Sequence, residues 1–274
     1  MDIRLQTLRT RRQGGVLHVA IDAPHMNLIG PELVRDLVSL IERAEQSDCR
    51  VVVFTSADPD YFISHVDVTK VAEYRQEAAR LVGEASIGML FRRLSEAGFV
   101  SIAQIEGRVR GAGSEFILAC DMRFAARETA IFSQMESAFG LVPGAGAVQH
   151  LTRLMGRGRA LEIMLGAEDH SAELAERYGW INRALPQAEL GPFVTALAER
   201  VATLPQEGAR LIRQRVNEIA LADADAFRKD SELFGAGVAR PETQHIMKAA
   251  MAAGLQQREG EMRLGDMLGN LAQF

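Results

Sequence analysis

Val16-Leu17-His18-Val19-Ala20-Ile21-Asp22 alternates apolar and polar positions after the Gly14-Gly15 pair, the pattern of a half-buried strand leaving a turn. Gly30-Pro31 then opens a helix, with proline in the first turn, where its missing N–H costs nothing. Leu33, Leu37, Leu40, Ile41 and Ala44 recur at helical spacing. Val51-Val52-Val53-Phe54-Thr55 is continuous and β-branched, as expected of a strand covered on both faces. Strands and helices alternate in this way to about residue 135, which predicts an α/β fold built from βα repeats. From Gly144 onward nearly everything reads as helix, with breaks expected at Gly156-Arg157-Gly158, Gly166, Pro186, Pro205, Gly235 to Gly237 and Pro241. Trp180-Ile181-Asn182-Arg183-Ala184 is a short extended exception. A soft boundary falls near residues 190 to 205, dividing an α/β core (1–200) from a helical C-terminal region (201–274).

The bulk numbers exclude more than they identify. A chain of 274 residues, 47% hydrophobic and 24% charged, can bury a large core. A net charge of −5 argues against a dedicated nucleic-acid binder, and the short run Arg9-Thr10-Arg11-Arg12 reads as a solvated surface. No apolar run approaches the roughly 18 residues of a membrane span, and no signal-peptide core is evident. Cys49 and Cys120 form no disulfide framework and no metal-spacing motif. A reducing cytoplasmic setting is therefore expected, with no metal. Met247, Met251, Met262 and Met267 are expected to pack in a core or between subunits rather than to form a ligand surface.

Chemistry concentrates in two stretches. Gly111-Ala112-Gly113 lies between the strand-like Val100–Ile105 run and the helix-like Phe116-Ile117-Leu118-Ala119. The first amides of a helix have no intrahelical partner, so a tight strand-to-helix turn exposes donors for an anion or a polarised carbonyl oxygen. Glu115 sits one helical turn into the same element. The second stretch is Gln134-Met135-Glu136 followed by Gly140-Leu141-Val142-Pro143-Gly144-Ala145-Gly146, which again places a carboxylate beside backbone that small residues expose. Neither glycine cluster has the third glycine of a dinucleotide loop, and Phe116 stands where a nucleophile elbow around Ser114 would need glycine.

In order and spacing these segments resemble the crotonase superfamily, of which enoyl-CoA hydratase is the best-known member. The resemblance runs from about Gly15 to Pro186. It takes in Pro24 with Asn27, Phe62 through Asp67, Gly107 through Cys120-Asp121, Gln134 through Gln149, Leu151-Thr152-Arg153 before Gly156, and Ser171-Ala172-Glu173 leading to Tyr178-Gly179-Trp180-Ile181. It implies a spiral of ββα repeats with a helical C-terminal region that makes a trimer interface, hence a homotrimer or a dimer of trimers. It implies an acyl-CoA thioester as substrate, with coenzyme A as part of that substrate and no further cofactor, and no nucleic-acid or membrane partner. The Val66 and Ala112 amides would hold the thioester oxygen, with His65, Asp67 and Gly111 around them. Glu115 and Glu136 would face one another across the reacting double bond.

Hydration of an α,β-unsaturated thioester needs fixed donors for the oxygen that gains charge. It also needs a base for water and an acid for carbon, and two carboxyl groups in unlike environments can serve. The retained glutamate pair favours hydration over isomerisation. Isomerisation, C–C cleavage or thioester hydrolysis with the same oxyanion hole is the enzymatic alternative, and a catalytically silent scaffold is the non-enzymatic one. Two departures bear on the choice. Ser64-His65-Val66-Asp67 replaces the usual small residues, so that His65 either contacts substrate or satisfies a local hydrogen bond. Met135 stands where many relatives have proline. Arg108 and Arg110 are expected at the surface, and Arg258 is a candidate for the CoA phosphate.

Overall fold

The protein is described by a computed structural model over residues 5–270. Strand β1 (Leu8–Gln13) and β2 (Val16–Ile21) pair antiparallel around Gly14, whose φ of 56° suits glycine. β1 was not visible in the hydrophobic pattern because only Leu8 is buried along it. The arginines of the basic run project from this edge strand, as a solvated surface should. A short helical segment, α1 (Pro24–Asn27), and the long helix α2 (Pro31–Glu45) follow. The apolar stripe of α2 is buried, as its spacing predicts.

Three strand–strand–helix units come next. β3 (Val51–Ser56) leads to β4 (Tyr61–Ile63), then to α3 (Val71–Val82) and α4 (Ile87–Ser95). β5 (Val100–Ile105) and β6 (Arg108–Arg110) lead to α5 (Ala112–Ala119). β7 (Met122–Ala126) and β8 (Ile131–Ser133) lead to a 3-10 turn, Glu136–Phe139, and to α6 (Ala147–Gly166). In each unit the first strand joins a six-stranded sheet and the second a four-stranded one. The large sheet runs β1-β2-β3-β5-β7-β10, parallel apart from β1. The small sheet runs β4-β6-β8-β9, with β9 (His170–Ser171) antiparallel. After α7 (Ala172–Tyr178), capped by the Ser171 hydroxyl, the chain adds β10 (Arg183–Leu185) to the large sheet. This is the expected spiral of ββα repeats.

Three expectations need amendment. The break expected at Gly235 to Gly237 does not occur, because one helix (Ala224–Val238) runs through all three positions. Gly156, at φ 78°, kinks α6 rather than ending it. The two-residue strand β9 has too little pattern to be read from sequence.

The rest is helical: α8 (Gln187–Thr203), α9 (Gln206–Ala220), α10 (Ala224–Val238), α11 (Pro241–Ala253), α12 (Arg258–Met262) and α13 (Leu264–Asn270). α8 buries Leu190, Val194 and Ala198 against the large sheet. α10, α11 and α13 gather around Met135, Phe139 and Leu141. α9 buries none of its residues. Among the described residues no helix is long and apolar enough to cross a membrane, and no group of three or more His, Cys, Asp or Glu could hold a metal.

α5 lies inside the molecule with all eight residues buried, as a mainly apolar helix does, and Ser114 and Glu115 are its only polar side chains. Its approach to β4 leaves no room at Gly113, where a Cβ would strike the Ile63 carbonyl oxygen. Gly113→Ala is therefore expected to destabilise the fold by about 1–3 kcal/mol or more, an overpacking cost. Gly158→Ala, at an exposed helical position with open space around it, should instead be neutral or gain about 0.5–1 kcal/mol. Denaturant midpoints of the two variants measure the contrast.

Candidate active site

The fold sets a cavity between the ends of β4, β6 and β8, helices α3 to α5 and the C-terminal helices, with about 900 Å³ of empty space including its open mouth. His65, Val66, Gly111, Ala112, Glu115 and Glu136 all line it. These are six of the seven site residues expected from sequence. Asp67 is turned away. It accepts hydrogen bonds from the Thr69 amide and hydroxyl and from Gln256, and it borders a separate depression beside Lys70.

Backbone geometry explains why Val66 and Ala112 stand out. Val66 forms an isolated parallel bridge with Ile29, in which the Ile29 amide donates to the His65 carbonyl and the Asp67 amide donates to Ile29. The amide of the residue between those two bonds points away from Ile29, on the other side of the strand. Ala112 is the first residue of α5, so its amide is one of the orphan donors of a helix start. Gly111 precedes it at φ 50°, a conformation costly for other residues. A Cβ there would also lie 3.2 Å from a Glu136 carboxylate oxygen, which shows how near that side chain comes to the turn.

The two glutamates reach the cavity from different elements. Glu115 projects from the first turn of α5, and its Oε1 accepts from the Ala145 and Ala147 amides at 2.7 and 3.0 Å. It thereby caps α6 instead of its own helix. Glu136 opens the 3-10 turn, and both its oxygens accept from Gln134 Nε2 at 2.9 Å. Burial raises the Glu115 pKa well above the usual carboxylate range. The neighbouring Glu136 charge adds to the rise, and the two backbone amides oppose it. Burial likewise raises Glu136, against its hydrogen bonds and the charge of His65. Two such groups titrate as a pair, which retains a proton longer than an ordinary carboxylate would.

His65 is buried, and both ring nitrogens are engaged. Nδ1 lies 2.7 Å from the Val66 carbonyl oxygen, and Nε2 lies 2.7 Å from Glu261 Oε1. A carbonyl oxygen only accepts, so Nδ1 carries a proton. Burial opposes charge on the ring, but Glu261 and the Val66 carbonyl outweigh it and raise the His65 pKa. His65 therefore satisfies local hydrogen bonds at the cavity wall. The expectation for Arg110 is overturned. It is fully buried, donating from Nε to Asp169 at 2.8 Å and from Nη1 to the Glu261 carbonyl at 2.8 Å. Arg108 is half-buried over the Tyr61 ring. Arg258 also stacks on Tyr61, and its guanidinium is held by Asp58 and Asp60, away from the main cavity.

This geometry has known counterparts. Residues 11–256 match the sequence model described as enoyl-CoA hydratase/isomerase. The chain belongs to the enoyl-CoA hydratase/isomerase family. A crystal structure of a candidate enoyl-CoA hydratase from Streptomyces avermitilis superposes with a TM-score of 0.96 at 50% identity, covering 98% of each chain. A short-chain-enoyl-CoA hydratase of Clostridium acetobutylicum is 28% identical over 94% of this chain and 98% of its own. A crotonyl-CoA hydratase of Syntrophomonas wolfei is 29% identical over 82% of this chain and 84% of its own.

The cavity has further polar and apolar neighbours besides the paired carboxyls. Gln134, Tyr74, Arg75 and Met247 also line or support the cavity. Met247 was expected only to pack. Gln134 was in plain view beside Glu136, and its polar side chain before a candidate acid was the available signal. Glu261 and Asp169 carried none, because they lie far along the chain in ordinary helical and loop contexts.

The raised carboxyl pKa values have a consequence for stability. A carboxyl whose folded pKa exceeds its unfolded one favours folding below the unfolded value, and that advantage is lost as pH rises through the folded one. Glu136→Gln removes one such group. Its melting temperature relative to the parent should therefore be higher at about pH 8.5 than at about pH 5, as scanning calorimetry can measure.

Proposed function

We propose that the protein adds water across the double bond of an α,β-unsaturated acyl-CoA. The observation that carries this is the convergence of two buried carboxyls of raised pKa on a cavity whose wall also presents the Val66 and Ala112 amides. In this reading the thioester oxygen accepts hydrogen bonds from those amides. Each such donor is worth about 3 kcal/mol of transition-state stabilisation. Water, held by both glutamates, attacks C3 and gives its proton to Glu115. Glu136 delivers its proton to C2. The reaction neither oxidises nor reduces its substrate, so coenzyme A enters only as the substrate's carrier. His65, fixed by Glu261, steadies the Val66 peptide.

The same proposal includes self-association as a trimer or a dimer of trimers. α9 supports it, because Ile212, Val216 and Ile219 form a stripe along its axis and are 66%, 54% and 80% exposed. Two buried, unpaired cysteines fit a reducing compartment, which we take to be the cytoplasm.

Glu115→Gln and Glu136→Gln should each lower turnover of crotonyl-CoA by about 100- to 10,000-fold while leaving thioester binding largely intact. The double variant should fall little further, because both groups act on one water and one carbon. Loss of the enoyl-thioester absorbance reads this directly. A single variant with near-normal turnover would assign that glutamate a structural role. Sedimentation equilibrium at micromolar concentration should give three or six chain masses, and a clean monomer would defeat the assembly.

A further inference from the structure

The cavity has a second set of polar groups that the hydration chemistry does not use. Tyr74, on α3, is only 1% exposed, and its hydroxyl has no hydrogen-bond partner among the described residues. The ring lines the same cavity as the two glutamates. Burial raises its pKa, and it is near enough to Glu115 to feel that charge. The hydroxyl is therefore a protonated donor. An unmade hydrogen bond at a buried hydroxyl is costly, so a group that persists in this state needs a reason.

Arg75 follows it and lines the same cavity. Its Nε donates to the Ala85 carbonyl at 2.8 Å, and Nη2 lies 3.5 Å from the Ser231 hydroxyl on α10. Among the described residues no carboxylate pairs with this guanidinium. Nearby arginines behave differently: Arg228 is held by Glu84 and Asp225, and Arg110 by Asp169. Ser231 also lines the cavity and accepts from the Ser86 hydroxyl at 3.0 Å. The remaining walls near these groups are apolar, with Val71, Ile87 and Phe234. An unpaired cation and an unsatisfied donor thus share a mostly hydrocarbon chamber that already holds two acidic side chains.

We propose that the acyl group bound here ends in a carboxylate, held by the Tyr74 hydroxyl and the Arg75 guanidinium. The substrate class is then the CoA monothioester of an unsaturated dicarboxylic acid. This rests on the hydratase reading for the thioester end and on Tyr74 and Arg75 for the other. A carboxylate takes up both donors at once, and charge-assisted bonds to a guanidinium are the stronger kind. The Arg75 charge also offsets repulsion between the acyl carboxylate and the glutamate pair. A plain alkyl tail would leave both groups unpaired, and such sites discriminate strongly against the analogue that lacks the polar group.

The test compares thioesters of matched length: hex-2-enoyl-CoA, 5-carboxypent-2-enoyl-CoA and the neutral 5-carbamoylpent-2-enoyl-CoA, with the shorter 4-carboxybut-2-enoyl-CoA to allow for cavity depth. We expect kcat/KM to favour a carboxylated substrate over hexenoyl-CoA by about tenfold or more, the scale of one charged hydrogen bond. Tyr74→Phe and Arg75→Met should each shrink that ratio, and Arg75→Lys should restore part of it. Binding of adipyl-CoA and hexanoyl-CoA by calorimetry gives the same comparison without turnover. If hexenoyl-CoA is preferred and the variants leave the ratio unchanged, the carboxylate site is wrong and the hydratase reading stands. Preference for the carbamoyl compound equal to that for the carboxylate would also overturn it. If no thioester is hydrated, the hydratase reading fails, and the calorimetric preference alone supports or overturns the carboxylate site.

Discussion

The contact between α5 and β4 holds the site in register. Gly113 lies against the Ile63 carbonyl with no space for a Cβ. That closeness puts the start of α5 beside the strand that continues into His65 and Val66. Two outward amides from different repeats thereby reach one cavity, and Glu115 comes in with them. Trp180 secures the other side of the helix by donating to the Ser114 hydroxyl at 3.1 Å. A helix that can move neither toward the small sheet nor away from it gives its first amides a fixed direction. Fixed direction is what distinguishes an oxyanion site from an ordinary helix terminus.

Around this rigid turn the protein holds more buried charge than folding alone would favour. The glutamate pair is buried at the cavity wall, and its charge is offset by hydrogen bonds to Oε1 of Glu115 and to both oxygens of Glu136. Behind it, His65, Glu261, Arg110 and Asp169 form a second cluster in which opposite charges alternate. Buried ion pairs seldom add net stability over a well-packed apolar substitute, though removing one partner is severe. The second cluster is thus better understood as fixing positions than as strengthening the core. It joins the Val66 peptide, the end of β6 and helix α12 through side chains whose geometry tolerates little slack.

Much of this was legible in the residues. The continuous β-branched run at Val51–Thr55, the periodic stripe of α2 and the apolar run of α5 are each local patterns that tertiary structure preserves. The glutamate pair was legible because each glutamate sits beside small residues in a recognisable stretch. β1 was not, since an edge strand with one buried residue has no apolar pattern to detect. Arg110 was misread as a surface residue because a charge looks solvated until its partners are known, and Asp169 and Glu261 lie 59 and 151 residues further along. Tyr74 and Arg75 look like ordinary helix residues in sequence. Only the cavity shows one to be unsatisfied and the other unpaired.

The reach of Glu261 has a bearing on biosynthesis. His65 waits for a carboxylate that lies 196 residues downstream. A nascent chain that has emerged as far as α8 already has β1 to β10, both glutamates and both candidate oxyanion amides. It still lacks the group that holds the imidazole against the Val66 carbonyl, and it lacks α10 and α11, which line the cavity. Catalytic competence on the ribosome should thus lag well behind formation of the sheets.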